Sequence, residues 1–288
     1  MSVSTEAGQG RTAQHAWLGT YPEKVDWEMD IPPRLLTDLV EKAAREFPRN
    51  AAILFKGKST TYQDLAQQVT RTAAGLQAIG VRKGTKVGLF LPNTPAFIVY
   101  YFAILKAGGT VVNFNPLYTI EELTFQVKDS ETEIMVTHDL KVLFDKVEKL
   151  IEIGVLKTAV VIPFGQMLPP LTALLFKTFK RKDIADVAGS KVKSSVVLSA
   201  RVDTPPSAFK PVDISPNDVA VLQYTGGTTG TPKGAMLTHA TLYANAMQID
   251  AWATVLTRGQ ERVLGALPLF HVFAMTVVMN MGIALAAT

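Results

Sequence analysis

The sequence predicts an α/β fold of mostly parallel sheets flanked by helices, incomplete at its C-terminus. Two observations carry that class. From about residue 34 onward, short apolar runs alternate with longer segments of helical periodicity, which is the β-α-β rhythm of parallel sheets. The apolar runs, such as KVGLFLP and VAVLQYT, are nearly continuous rather than alternating, as in strands covered on both faces. A third observation supplies the incompleteness. The chain stops in apolar sequence, GIALAAT, with no cap and no polar tail, so it reads as the front part of a longer protein.

Residues 1–33 read as an N-terminal extension, and the opening MSVSTEAGQGRTAQHAWL lacks the apolar stretch of a secretory signal. Leu35, Leu36, Leu39, Val40, Ala43 and Phe47 share one helical face, and Pro48 ends that helix. AAILFK and STTY flank Gly57-Lys58 as in a hairpin. A helix through about Ile79 follows, with Gly80 placed to cap it. KVGLFLP is a buried strand, AFIVYYFAILKA a helix closed by Gly108-Gly109, and TVVNFN the next strand. Thr119 and Glu122 form a capping box at the head of another helix. EIMVTH, a helix through about Ile151, and KTAVVIP complete a first α/β subdomain over 34–162.

Residues 163–217 break the rhythm with Pro169-Pro170, Pro205-Pro206, Pro211 and Pro216, and read as an insertion and linker. VAVLQYT, a helix after Thr238 and RVLGALPL then begin a second α/β subdomain over 218–288. The run from Val263 to Thr288 holds no Asp, Glu, Lys or Arg, which raises the question of a membrane span. Pro268 and His271 split it, so a buried strand followed by a core helix is the preferred reading.

The 288 residues are 48% hydrophobic and 19% charged, enough for a substantial core and more than one subdomain. With no cysteine there is no disulfide framework, thiolate metal site or cysteine nucleophile, which suits a cytoplasmic protein. The formal charge of +4 favours anionic ligands or membrane surfaces, while the absence of a long Lys/Arg run argues against nucleic acid. His15, His138 and His239 have no partners at ligand spacing, so no protein metal site is expected.

The chemistry concentrates in YTGGTTGTPKGAMLTH, Tyr224 to His239, where four glycines and five threonines surround Lys233. Gly226, Gly227 and Gly230 free the backbone to expose its N–H groups, and consecutive exposed amides make an anion nest. The hydroxyls of Thr225, Thr228 and Thr229 add donors and Lys233 adds charge. That is chemistry for polyphosphate at the carboxyl end of a strand. A plain surface loop is the bland alternative. A Walker-type loop is excluded, because Lys233 follows Pro232 instead of a glycine.

The segment resembles, nearly residue by residue, the phosphate-binding signature of the adenylate-forming superfamily of acyl-CoA synthetases. WLGTYPEKVDWEMDIPP, TYQDLA, GVRKGTKVGLFLPNTPAFIVYYFAILKAGG, NFNPLYTIEEL and LPLFHVFAM look like bacterial long-chain fatty acid–CoA ligases in particular. The resemblance implies the N-terminal part of that family's large domain. It also implies a two-step reaction: a fatty acid carboxylate attacks the α-phosphate of ATP, and coenzyme A then displaces AMP. By analogy Thr225, Thr228, Thr229 and the loop amides hold the β- and γ-phosphates, with Lys233 in support. His271 lies in the family's Pro-x-x-His segment beside the reacting carboxylate; its alternative is a buried histidine bound to a backbone carbonyl. Mg2+ would arrive with ATP.

The family's aromatic-Gly-x-Thr-Glu and Thr-Gly-Asp segments do not occur in the chain, nor does its C-terminal lid domain. This chain alone is therefore expected to be inactive. A ligase for aryl or medium-chain acids, and a non-catalytic remnant that binds lipid surfaces or partners, remain as alternatives. Homo-oligomerisation is left open.

Within the insertion, MLPPLTALLFKTFKRKD joins an apolar run to Lys177, Lys180, Arg181 and Lys182. A helix from about Pro170 would align Leu171, Leu174, Leu175 and Phe179 on one face. Two readings stand: a helix lying in an anionic membrane surface over about Leu171 to Lys182, or one packed on the body with its basic residues solvated.

Overall fold

The computed structural model describes residues 15–225 and 232–288. Its strands are β1 (Ala51–Phe55), β2 (Lys58–Thr61), β3 (Lys86–Leu89), β4 (Thr110–Asn113), β5 (Ile134–His138), β6 (Thr158–Ile162), β7 (Val196–Leu198), β8 (Val219–Thr225) and β9 (Lys233–Thr238). The α-helices are α1 (Asp38–Glu46), α2 (Tyr62–Ala78), α3 (Pro95–Lys106), α4 (Ile120–Asp129), α5 (Lys141–Glu152), α6 (Pro170–Phe179), α7 (Ser199–Val202), α8 (His239–Trp252) and α9 (Met281–Ala284). A π-helical stretch, Ala274–Asn280, leads into α9.

Among the described residues β1 and β2 form a separate hairpin, and a seven-stranded sheet runs β7-β6-β5-β3-β4-β8-β9. Pairings from β7 through β8 are parallel, and β9 returns antiparallel along β8. The three stretches 34–162, 163–217 and 218–288 thus all contribute strands to one sheet. Both faces are covered, as the continuous apolar runs require. Val87, Val111, Val136 and Val160 pack on one side with α1, α2, α3 and α8. Val112, Met135, Ala159 and Val161 pack on the other with α4 and α5.

Local signals act as read at several ends. The capping box on α4 forms, with Glu122 N–H donating to Thr119 Oγ1 at 3.3 Å and Thr119 N–H to Glu122 Oε2 at 2.8 Å. Thr61 with Asp64 and Thr238 with Thr241 open α2 and α8 in the same way. In the first hairpin Phe55 pairs with Lys58, so the two-residue turn is Lys56-Gly57, not Gly57-Lys58. Both turn residues have positive φ, 51° and 89°, the geometry that matches the twist of the flanking strands.

Two readings of the last third need correction. RVLGALPL is not a buried strand: it has no ladder partner among the described residues, and Leu264 is 85% exposed. Asn93 engages its peptide groups instead, donating to the carbonyls of Gly265 and Leu267 and accepting from the Leu269 N–H at 2.8 Å. Conversely β9 was not foreseen. Its residues alternate poorly and Met236 is 72% exposed, because it is an edge strand at the end of the sheet. The apolar run that follows Pro268 does become a buried helix, and no described helix is long and apolar enough to cross a membrane.

Candidate functional site

Strand β8 delivers the candidate phosphate loop. Tyr224 and Thr225 end β8, and Thr225 pairs across the ladder with Lys233, the first residue of β9. Strands β8 and β9 therefore pair antiparallel right up to Thr225 and Lys233. Gly226, Gly227, Thr228, Thr229 and Gly230, the centre of the expected site, lie outside the described residues. Thr225 and Lys233, the paired strand residues on either side of it, are both exposed.

The strand pair is tied down from behind. Tyr224 sits opposite Gly234, and a Cβ at position 234 would lie 3.1 Å from the Tyr224 ring. Glycine there lets the ring lie flat across β9. The Tyr224 hydroxyl then donates a short hydrogen bond to the Asp129 carboxylate at the end of α4. Burial, and next the bond to Asp129, push the phenol well above its ordinary pKa, so it remains a donor at neutral pH.

In front of the strand pair a cleft of about 300 Å³ is lined by Asn113, Asn115, Tyr118, Gln223, Tyr224, Thr225, Phe270, His271 and Val272. It joins residues distant in sequence: the end of β4, the end of β8 and the turn before the π-helical stretch. Thr225 and His271 share this cleft, while Lys233 is not among its lining residues. His271 is exposed rather than buried, and its Nδ1 accepts the Phe273 N–H at 3.3 Å. In the neutral ring that bond places the proton on Nε2, leaving a donor to face a ligand.

Sequence reasoning missed the floor of the cleft. Asn113 Nδ2 donates to Gln223 Oε1 at 3.0 Å, and Gln223 Nε2 donates to the Phe270 carbonyl at 3.1 Å. Gln126 Nε2 in turn donates to the Asn113 carbonyl at 2.9 Å. This chain of amides fixes the backbone just before His271 to the ends of β4 and β8. Asn113 is 3% exposed and its Oδ1 has no hydrogen-bond partner among the described residues. The available signal was polar residues closing otherwise apolar strands, Asn113 after TVV and Gln223 after VAVL.

The other histidines are structural. His138 is fully buried between Thr94 Oγ1 and the Ile162 carbonyl, each at 3.0 Å, and burial pulls its pKa down to about 4. His239 accepts the Leu36 N–H through Nδ1 at 3.2 Å and is likewise pulled down by burial to about 4. His15 stacks on Trp17 in a surface aromatic cluster. No group of three potential metal ligands exists among the described residues, and no carboxylate lines the cleft. A hydrated cation carried on phosphate oxygens fits this donor set; a cation held by a protein carboxylate cage does not.

A family model described as AMP-binding enzyme matches residues 40–288. The long-chain-fatty-acid–CoA ligase of Bacillus subtilis (strain 168) is 38% identical over 277 residues, 95% of this chain and 49% of its own length. That of Escherichia coli O157:H7 is 34% identical over 266 residues, 91% of this chain and 47% of its own length. Among solved structures, a long-chain-fatty-acid-CoA ligase from Archaeoglobus fulgidus matches with a TM-score of 0.72 at 28% identity. The match covers 93% of this chain and 48% of that one. The chain thus spans about half the length of the curated relatives it matches.

Proposed function

The chain belongs to the AMP-binding enzyme family, and from that premise we propose that it carries the polyphosphate and carboxylate side of a long-chain fatty acid–CoA ligase. The observation that supports this most directly is the cleft lined by both Thr225, which precedes the glycine-threonine segment in sequence, and His271. Catalysis of the first step requires two anions to be brought together while charge on the departing pyrophosphate is neutralised. Thr225, Thr228 and Thr229, the amides of Gly226, Gly227 and Gly230, and Lys233 take the second task. His271 takes part of the first: its Nε2–H donates to the fatty acid carboxylate and orients the attacking oxygen. Magnesium, bound to the phosphates, supplies further charge neutralisation. Coenzyme A is the co-substrate of the second step, and the compartment that fits ATP, coenzyme A and a cysteine-free chain is the cytoplasm.

Part of this proposal is that these 288 residues by themselves bind without turning over. Calorimetric titration of the chain with MgATP, with pyrophosphate and with a long-chain acyl-sulfamoyl adenosine tests both halves. Binding of ATP or pyrophosphate that Lys233→Ala weakens is the expected result. No binding of any of the three overturns the site. Fatty-acid-dependent pyrophosphate release by the purified chain overturns the expected inactivity, and preference for a benzoyl over a palmitoyl analogue overturns the long-chain assignment.

A further inference from the structure

Helix α6 presents its apolar face to solvent. Leu171, Leu174, Leu175 and Phe179, spaced i, i+3, i+4 and i+8, are 70%, 62%, 48% and 78% exposed. The opposite face holds the helix to the body through Ala173 and Phe176, whose ring lies 5.2 Å from that of Phe164. The turn of the first hairpin supports its N-terminal end, with Gly57 next to Pro169. The face that a helix packed on the body would bury is therefore the one left outside.

The charge around that face is predominantly positive. Between positions 177 and 193 there are six basic residues, Lys177, Lys180, Arg181, Lys182, Lys191 and Lys193, against two acidic ones, Asp183 and Asp186. Lys180 pairs with Asp183 at 3.4 Å, and Asp186 accepts the Gly189 N–H. Lys177, Arg181 and Lys182 have no carboxylate partner among the described residues. Lys177 flanks the leucines, and Arg181 and Lys182 follow the helix end. An apolar stripe bordered by free cations complements a surface that is apolar below and anionic above, as at the head-group boundary of a membrane. Ten residues give a helix of roughly 15 Å, about half the hydrocarbon thickness. It can lie in that boundary but not cross it.

We propose that α6 is a docking surface for anionic lipid, with Leu171, Leu174, Leu175 and Phe179 immersed and Lys177, Arg181 and Lys182 reaching the head groups. Its placement gives the contact a use. Helix α6 follows β6 and the candidate phosphate loop follows β8. The two strands belong to the parallel part of one sheet, separated by β5, β3 and β4, so their carboxyl ends share an edge. At about 4.8 Å per strand the end of β8 lies on the order of 20 Å from the end of β6, which leads to the lipid-facing helix. Docking would thus hold the cleft beside the phase in which a long-chain acid dissolves. The surface goes beyond the ligase reading, and the two can fail separately because lipid docking requires neither ATP nor acyl substrate.

Flotation of the 288-residue chain with phosphatidylcholine vesicles, alone or in equal parts with phosphatidylglycerol, tests the surface directly. Binding only to the anionic vesicles, weakened by added salt, is the expected result. Lys177→Gln, Arg181→Gln and Lys182→Gln should each cost roughly fivefold in partitioning, and Leu175→Ser with Phe179→Ser should abolish it. Thermal unfolding should be unchanged, since these side chains contact solvent. Because the chain has no cysteine, Thr178→Cys carrying an environment-sensitive fluorophore gives a second readout in which the helix keeps its apolar residues. A blue shift on anionic vesicles supports immersion. No flotation with anionic vesicles, flotation unaffected by the substitutions, or an unshifted label overturns the proposal.

Discussion

Replacing Gln223 with leucine would remove the link between the two halves of the candidate site while keeping most of the volume. Gln223 accepts from Asn113 and donates to the Phe270 carbonyl, and it is 6% exposed. In Gln223→Leu the Asn113 Nδ2 keeps only a contact of 3.4 Å to Met275 Sδ, a weak acceptor. An orphaned buried amide costs about 1–3 kcal/mol, and the lost bond to the partly exposed Phe270 carbonyl about 0.5–1 kcal/mol more. The expected destabilisation is therefore about 1.5–4 kcal/mol. Asn113→Leu strands Gln223 Oε1 but also removes the already unpartnered Asn113 Oδ1, so its cost should be smaller, about 1–2 kcal/mol. With both replaced, no amide is left stranded between them, and the double variant should be less destabilised than the sum by about 1–2 kcal/mol. Urea unfolding of the four proteins measures the cycle. Hydrogen exchange should quicken at the amides of His271 and Phe273 in Gln223→Leu, because their turn loses its tether. Additivity within about 0.5 kcal/mol, or unchanged exchange at that turn, would refute the reasoning.

Other outcomes follow from packing, capping and titration. Gly75→Ala should destabilise by about 1–2 kcal/mol in thermal unfolding although alanine is the better helix former, since overpacking outweighs a propensity gain of about 1 kcal/mol. The added Cβ would stand 1.8 Å from the Val202 carbonyl oxygen, a backbone atom that cannot rotate aside. Thr119→Ala removes the capping box of α4 and should cost about 1 kcal/mol by urea midpoint. His138 and His239 are neutral in the fold, with pKa values depressed from 6.5 to about 4. The unfolded chain therefore binds more protons between those values, so their contribution is present above pH 6.5 and is lost as the pH falls toward 4. The loss is on the order of 3 kcal/mol for each histidine. Urea midpoints from pH 7 to pH 4 should show a shallower decline in His138→Gln than in the parent chain.

The elements that the sequence specified well are those whose signals are local. The capping pair of Thr119 and Glu122, the glycines that close α2 and α3, and the apolar runs of β3, β4, β5, β6 and β8 need only neighbouring residues to act. The signature from Tyr224 to Gly234 marked the family for the same reason: it is one contiguous piece of sequence. RVLGALPL misled because an apolar run reports the affinity of its side chains for burial. It does not report whether a neighbouring strand exists to take its peptide groups, and here the Asn93 side chain takes those of Gly265, Leu267 and Leu269 while the Val263 N–H donates to the Thr288 carbonyl. Strand β9 was silent because an edge strand buries too little to leave a pattern.

The sequence by itself thus determined the fold class, most element boundaries, the family signature and the basic, apolar character of α6. Tertiary structure alone decided that Thr225 and His271 face one cleft, that Asn113 and Gln223 floor it, and that Tyr224 leans on Asp129. It also decided which face of α6 meets solvent. Each of these depends on contacts between residues far apart in the chain, and periodicity along one segment carries no information about what packs against it.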